Sequence, residues 1–225
     1  MDAQSAFQLA FHFGTSKPVV VEPSAAQVSS DAGLLPFRQL DEQLGLTQQL
    51  ADCLTDRRHV GYVGHTFLEM VRMRVYGILA DYADQNDHDL LRSDPVFKLV
   101  CDRSIHDDDL ASQPTLSRFE NAIDTGSFFR LRDMLIDQFI ASFDEPPQRL
   151  ILDVDPFDDP TYGQRPGTQQ IPCAGCPLTF FHGYYRQYQY LPRVITCAEN
   201  DLVLSLCLLY GSAHPALGAD EDLEY

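Results

Sequence analysis

At 225 residues, with 44% hydrophobic and 22% charged side chains, the chain can bury a substantial core in one domain or two. Thirty-three acidic against sixteen basic residues leave a net charge of −17, which counts against a simple duplex-binding protein held by lysine and arginine. The N-terminus has no charged-then-apolar leader, and the longest apolar run, Leu202–Tyr210, is too short to span a bilayer as a helix. Six cysteines without a secretory leader point to reduced thiols in a cytoplasm. The sole C-x-x-C, Cys173–Cys176, lacks the second pair a zinc site needs and reads as an ordinary loop.

In chain order, residues 1–33 read as an extended, flexible arm. Phe7, Leu9, Phe11 and Phe13 alternate, and Lys17–Val21 is β-like, so one or two short strands are expected. Residues 34–145 read as a helical domain. Phe37, Leu40, Leu44 and Leu46 suggest a helix interrupted near Gly45, and Leu50 and Leu54 continue a second stripe. His65–Tyr82 is the clearest helix, with Phe67, Met70, Val71, Val75, Ile78, Leu79 and Tyr82 on one broad face. Arg72 falls off that face and Arg74 near its edge, the pattern of a solvated margin rather than of phosphate contacts. Asp94 caps a further helix with Pro95 at its first position, and the acidic loop Ser104–Asp109 reads as solvated.

Ser112 is an expected N-cap with Pro114 in the first turn. Thr115, Ser117 and Arg118 then lie on a short helix after a loop, as on a recognition helix. The competing reading is a bundle helix with Leu116, Phe119 and Ile123 buried, and the lack of a basic environment favours it. Ser127–Phe143, which carries Arg130, reads as amphipathic, with Phe128, Leu131, Leu135, Phe139 and Phe143 inward. Glu145-Pro-Pro-Gln is the expected hinge.

From residue 146 the period becomes two. Leu150, Leu152 and Val154 alternate with Ile151, Asp153 and Asp155, and two carboxylates on one strand face are costly to bury unless paired or holding a metal. Asp158-Asp159-Pro160 is a turn signal. Tyr188–Ala198 and Leu202–Tyr210 complete an expected three-stranded antiparallel meander, and a helix starts at Ala219. His182 and the tyrosines Tyr184, Tyr185, Tyr188 and Tyr190 read as packing residues rather than as a base or a stacking platform.

Arg149–Leu191 resembles the start of the catalytic domain of DDE-type insertion-sequence transposases of the group 1 branch, which is RNase H-like. The resemblance rests on Leu152, Asp153, Asp155, Asp158, Asp159, Pro160, Thr161, Gly163 and Gln164, then Phe181, Gly183, Tyr184, Tyr185, Tyr188, Tyr190, Leu191 and Pro192. Upstream, Asp94-Pro-Val-Phe-Lys-Leu and the stretch from Leu110 to Asn121 are similar to the family's helical region. Pro156 and Phe157 depart from the family's small residue and Thr, and Arg165–Thr179 is longer than the usual link.

The resemblance implies an α+β chain, with a helical domain followed by an RNase H-like domain over 146–225. It implies Asp155 as first catalytic and metal-binding carboxylate, with Asp153 as second choice, and Mg²⁺ or Mn²⁺ as cofactor. It also implies DNA terminal repeats as partner, for which Thr115, Ser117, Arg118 and Arg130 are the candidate contacts read from the helices. The family's second Asp and final Glu lie beyond Tyr225, so the expectation is an N-terminal portion, catalytically incomplete, with weak metal and DNA binding and an unpaired sheet edge prone to self-association. The alternatives are a regulatory fragment that associates with full-length transposase or element ends, and a decaying reading frame without function.

Overall fold

The structure is a computed structural model that describes residues 9–14, 17–21, 28–160, 179–209 and 213–224. The architecture is α+β, in two compact units, Met1–Leu131 and Arg132–Tyr225. Among the described residues no helix is long and apolar enough to cross a membrane.

In the first unit, strands β1 (Leu9–Phe11) and β2 (Val19–Val21) pair antiparallel, and the ring of Phe13 just beyond β1 is buried in the core. Helix α1 (Leu34–Leu44) stops at Gly45, whose φ of +66° is left-handed and whose N–H reaches the Asp41 carbonyl at 2.7 Å. The chain passes directly into α2 (Leu46–Asp52). Helix α3 (Phe67–Leu79) begins at Thr66, whose hydroxyl accepts from the Glu69 N–H at 3.1 Å. A short helix α4 (His88–Leu91) precedes α5 (Pro95–Val100), where the Asp94 carboxylate accepts from Val96 and Phe97 and Pro95 takes the first turn. Helix α6 (Gln113–Asn121) and, up to Leu131, the start of α7 (Thr125–Ala141) follow, and Leu35, Met70, Met73, Tyr76, Phe97 and Leu116 centre the core.

The buried side of α3 keeps most of the face that its apolar spacing predicts: Met70 and Val71 are buried and Phe67, Val75 and Tyr82 pack against the core, but the end of that face is not inward. Glu69, Arg72 and Met73 are buried, whereas Ile78 and Leu79 are more than half exposed. Arg72 is therefore no solvated margin, and the reason is a buried ionic network. Its guanidinium pairs with Asp102 and donates from Nε to Thr47 Oγ1 at 3.1 Å. Asp41 accepts from the Thr47 N–H at 2.8 Å, from the Thr47 hydroxyl, and from the Tyr76 hydroxyl at 3.1 Å. Arg38, 1% exposed, donates to Asp102 at 2.9 Å, pairs with Glu42 at 2.6 Å and lies 5.2 Å from the centre of the Phe13 ring. Burial, then the Asp41 carboxylate, pushes the Tyr76 phenol well above its usual range.

Arg74 is likewise committed inside the unit. It donates to Glu120 Oε1 at 2.6 Å, to the Ala83 carbonyl at 3.1 Å and to His88 Nε2 at 2.9 Å. His88 is fully buried against Gly77, where a Cβ would come within 2.6 Å of the imidazole. Burial first, and then the Arg74 charge, lowers the His88 pKa from 6.5 to about 4.

Helix α7 corrects a second expectation, since Phe128 is 61% exposed. Its first turn is oriented by Asp124, whose carboxylate accepts from both the N–H and the hydroxyl of Ser127, at 2.8 and 2.9 Å. That pairing turns Ser127 inward and Phe128 and Phe129 outward, while Met134 and Phe139 are buried further along.

In the second unit the meander is larger than three strands. The eleven-residue β6 (Gln187–Cys197) is its spine. Its C-terminal half lies between β3 (Leu152–Pro156) and β7 (Val203–Leu209), both antiparallel. Its N-terminal half pairs with β4 (Asp159–Pro160) and β5 (Phe180–His182), so the Asp158-Asp159-Pro160 turn signal resolves into a two-residue strand. Gln189 explains the attachment: its amide is fully buried and finds Asp158 as acceptor. The short helix α8 (Ala219–Glu224) follows.

Candidate functional site

Two groups of side chains are candidates, one in each unit. In the sheet, Leu152, Val154 and Pro156 of β3 are half-buried and Asp153 and Asp155 are exposed, as the period of two predicts. Antiparallel register sets Asp155 opposite Val194, and Val194 opposite Leu206, so these three share one row on one face. The next row, Val154, Ile195 and Ser205, faces the other way. That second face is covered by α8: Asp222 accepts from Arg193 Nη2 at 2.5 Å and from the Ser205 hydroxyl at 2.9 Å. Arg193 also donates to the Leu217 carbonyl. The face of Asp155 is the open one, with Leu206 60% exposed.

The donor set around Asp155 does not fit a metal pair. Two-metal phosphodiester chemistry needs several carboxylates converging from different elements. Among the described residues, no group of three or more His, Cys, Asp or Glu could hold a metal ion. Asp153 and Asp155 come from one strand, and the Asp158 carboxylate accepts from Gln189. Thr161, Gly163, Gln164, Cys173 and Cys176 lie outside the described residues. His182 is a packing residue, with its ring 4.7 Å from Tyr185 and 5.9 Å from Phe180. Tyr188 packs across the strands on Phe181 at 5.3 Å.

The second group lies in the helical unit. Leu116 and Phe119 of α6 are buried, Thr115 and Ser117 are half-buried, and Arg118 is exposed. Thr115 and Arg118 line a pocket of about 380 Å³ with Thr55, Arg57 and Arg58, over an apolar floor of Phe67, Met70 and Phe119. Arg130 adjoins it, donating from Nη2 to Thr55 Oγ1 at 2.7 Å and from Nε to the Cys53 carbonyl at 2.8 Å. Ser117 does not line the pocket and bonds along its own helix to Asn121. Thr115, Arg118 and Arg130 therefore meet at one place. Arg57 and Arg58 are residues that reading by helix face passed over; the adjacent dibasic pair in the loop after α2 was the available signal.

Charge at this pocket runs against that of the chain. Arg57 pairs with Asp124 at 2.7 Å, and Arg58 with Asp56 at 2.6 Å. Hydrogen bonding from Arg58 holds the Asp56 carboxyl below the usual carboxylate range; bonds from Ser127, and then the charges of Arg57 and Arg130, do the same for Asp124. Arg118 differs from both arginines. It donates to Thr115 Oγ1 at 3.1 Å, and no carboxylate pairs with it among the described residues. Four guanidiniums against two paired carboxylates leave a local cationic excess in a chain of net charge −17.

The sequence profile of the family described as Transposase DDE domain group 1 matches residues 11–222, a span that runs through both units. The chain belongs to that family. Transposase DDE domains act in DNA transposition and use divalent metal ions, and both candidate groups fall within the matched span. No curated protein and no solved structure matches this transposase-family chain.

Proposed function

We propose that this chain engages transposon-end DNA through the arginine pocket of its helical region and does not cut DNA by itself. The observation that carries the first half is Arg118, exposed, without a carboxylate partner among the described residues, and grouped with Arg57, Arg58 and Arg130. Guanidiniums free of internal carboxylates are the natural contacts for phosphate oxygens. In this reading Thr115 and Ser117 support the same helix on the DNA, and residues 1–33, 34–145 and 146–225 serve as arm, DNA-engaging domain and RNase H-like domain. Asp155, with Asp153 beside it, is the first carboxylate position for Mg²⁺ or Mn²⁺. One strand's carboxylates supply only part of the set that phosphodiester cleavage needs, so no reaction step follows from them. The open row of Val194 and Leu206 beside Asp155 favours a second role, association with full-length transposase or with another copy.

The test is binding of the purified chain to a terminal-repeat duplex at two salt concentrations. Arg118→Ala should weaken binding about five- to tenfold at low salt and flatten the salt dependence by about one phosphate contact. Unchanged affinity and slope in that variant would remove the pocket from DNA binding. In parallel, supercoiled DNA with Mg²⁺ or Mn²⁺ should stay uncut, and metal-dependent nicking abolished by Asp155→Ala would overturn the second half.

A further inference from the structure

We propose that the arginine-rimmed pocket receives a single unpaired nucleobase of a bound strand, in addition to contacting its backbone. The inference rests on the reading of this pocket as DNA-contacting and names what fills it. A surface that only tracks phosphates needs no cavity behind its cations. Here the floor is apolar and aromatic, with Phe67 and Phe119 packed edge to face at 5.1 Å beside Met70. At about 380 Å³ the pocket is at the small end of ligand sites, which run from about 300 to 1,000 Å³. That size suits one nucleoside and excludes a base-paired duplex.

The rim divides the work chemically. Arg58 uses its donors internally, on both Asp56 oxygens at 2.8 and 2.6 Å and on the His65 carbonyl at 3.0 Å. Its guanidinium is thereby fixed 4.6 Å from the centre of the Phe67 ring and forms a flat cationic wall suited to stacking. Arg118 keeps donors for a phosphate, and Arg57 spends one nitrogen on Asp124. The Thr55 hydroxyl accepts from Arg130, and the Thr115 hydroxyl accepts from Arg118 and bonds Ser112, so each keeps capacity for a further bond to a base edge without selecting one base. An apolar floor, a flat cation and phosphate donors at the mouth are the recognition chemistry of an unstacked nucleotide in a strand.

The experiment measures binding of the full chain to two labelled short single strands of equal length at low salt. One carries bases and the other is abasic throughout. The base-bearing strand should bind about tenfold tighter. Ala122→Trp, whose ring would occupy the pocket, should bring that ratio to about one, and Arg118→Ala should weaken both strands. Equal binding of the two strands by the wild-type chain would overturn the base pocket and leave backbone contact standing. A ratio unchanged by Ala122→Trp would place the base elsewhere and equally overturn it. Failure of both strands to bind would overturn the base pocket, whereas failure of the terminal-repeat duplex to bind would remove the DNA reading itself. A free mononucleotide competing at the same concentration as the strand would make this a nucleotide site, against the proposal.

Discussion

Asp41→Ala should destabilise the helical unit by about 3–5 kcal/mol, the range seen when one partner of a buried ion pair is removed. Asp41 is 8% exposed and accepts from the Thr47 N–H, the Thr47 hydroxyl and the Tyr76 hydroxyl. It also lies within 4.0 Å of Arg38 and 3.9 Å of Arg72. Truncation leaves three donors without their acceptor and two buried guanidiniums with Asp102 as their shared carboxylate. Set against a total of about 5–15 kcal/mol for a domain, that loss is large. Denaturant unfolding followed by helical signal measures it; a midpoint within error of the wild type would show that the network contributes little.

Acid should weaken the same unit through His88. The imidazole is fully buried, and its pKa is about 4 in the folded chain against 6.5 without the fold. The unfolded chain therefore takes up the proton first as pH falls, and stability is lost between 6.5 and 4. At about 1.4 kcal/mol per unit, the loss attributable to His88 should reach about 2 kcal/mol at pH 5 relative to pH 7. Unfolding free energies of wild type and His88→Gln at those two pH values isolate it. The wild type should lose about 2 kcal/mol more than the variant over that interval. Parallel losses would mean that His88 admits a proton without opening its contact with Arg74.

Much of the architecture can be read locally because its signals are local. Asp94 followed by Pro95 and Gly45 between two helices each act within a few residues, and both sit where those signals put them. The alternation of Leu152, Asp153, Val154 and Asp155 likewise reports its own two faces. Arg72 was illegible because nothing within a turn of it identifies Thr47 and Asp102, which are 25 and 30 residues away, as its partners. Apolar spacing alone placed Phe67, Met70, Val71, Val75 and Tyr82 correctly on the core side but also put Ile78 and Leu79 inward. Phe128 failed for a similar reason, since a hydrogen-bonded Ser127 decided the rotation of the first turn of α7. At the pocket, Thr115 and Arg118 were visible on α6, but their meeting with Arg57 and Arg58 depends on tertiary packing.

The long shared strand β6 also sets an order of events during folding. Its neighbours β5 and β7 reach it through short turns, Gly183–Arg186 and Ala198–Leu202, with Arg186 and Asp201 in left-handed conformations. Strand β3 must find β6 across residues 157–186, and closing that longer loop carries the greater entropic cost. The hairpins around β6 should therefore form first, with β3 arriving on a finished template. Pulsed hydrogen exchange during refolding should protect amides of β6 and β7 before those of β3, and simultaneous protection would contradict this order. The carboxylate of Asp155 is then the latest part of the sheet to acquire a fixed position. Among the described residues its strand is held along one edge, by β6.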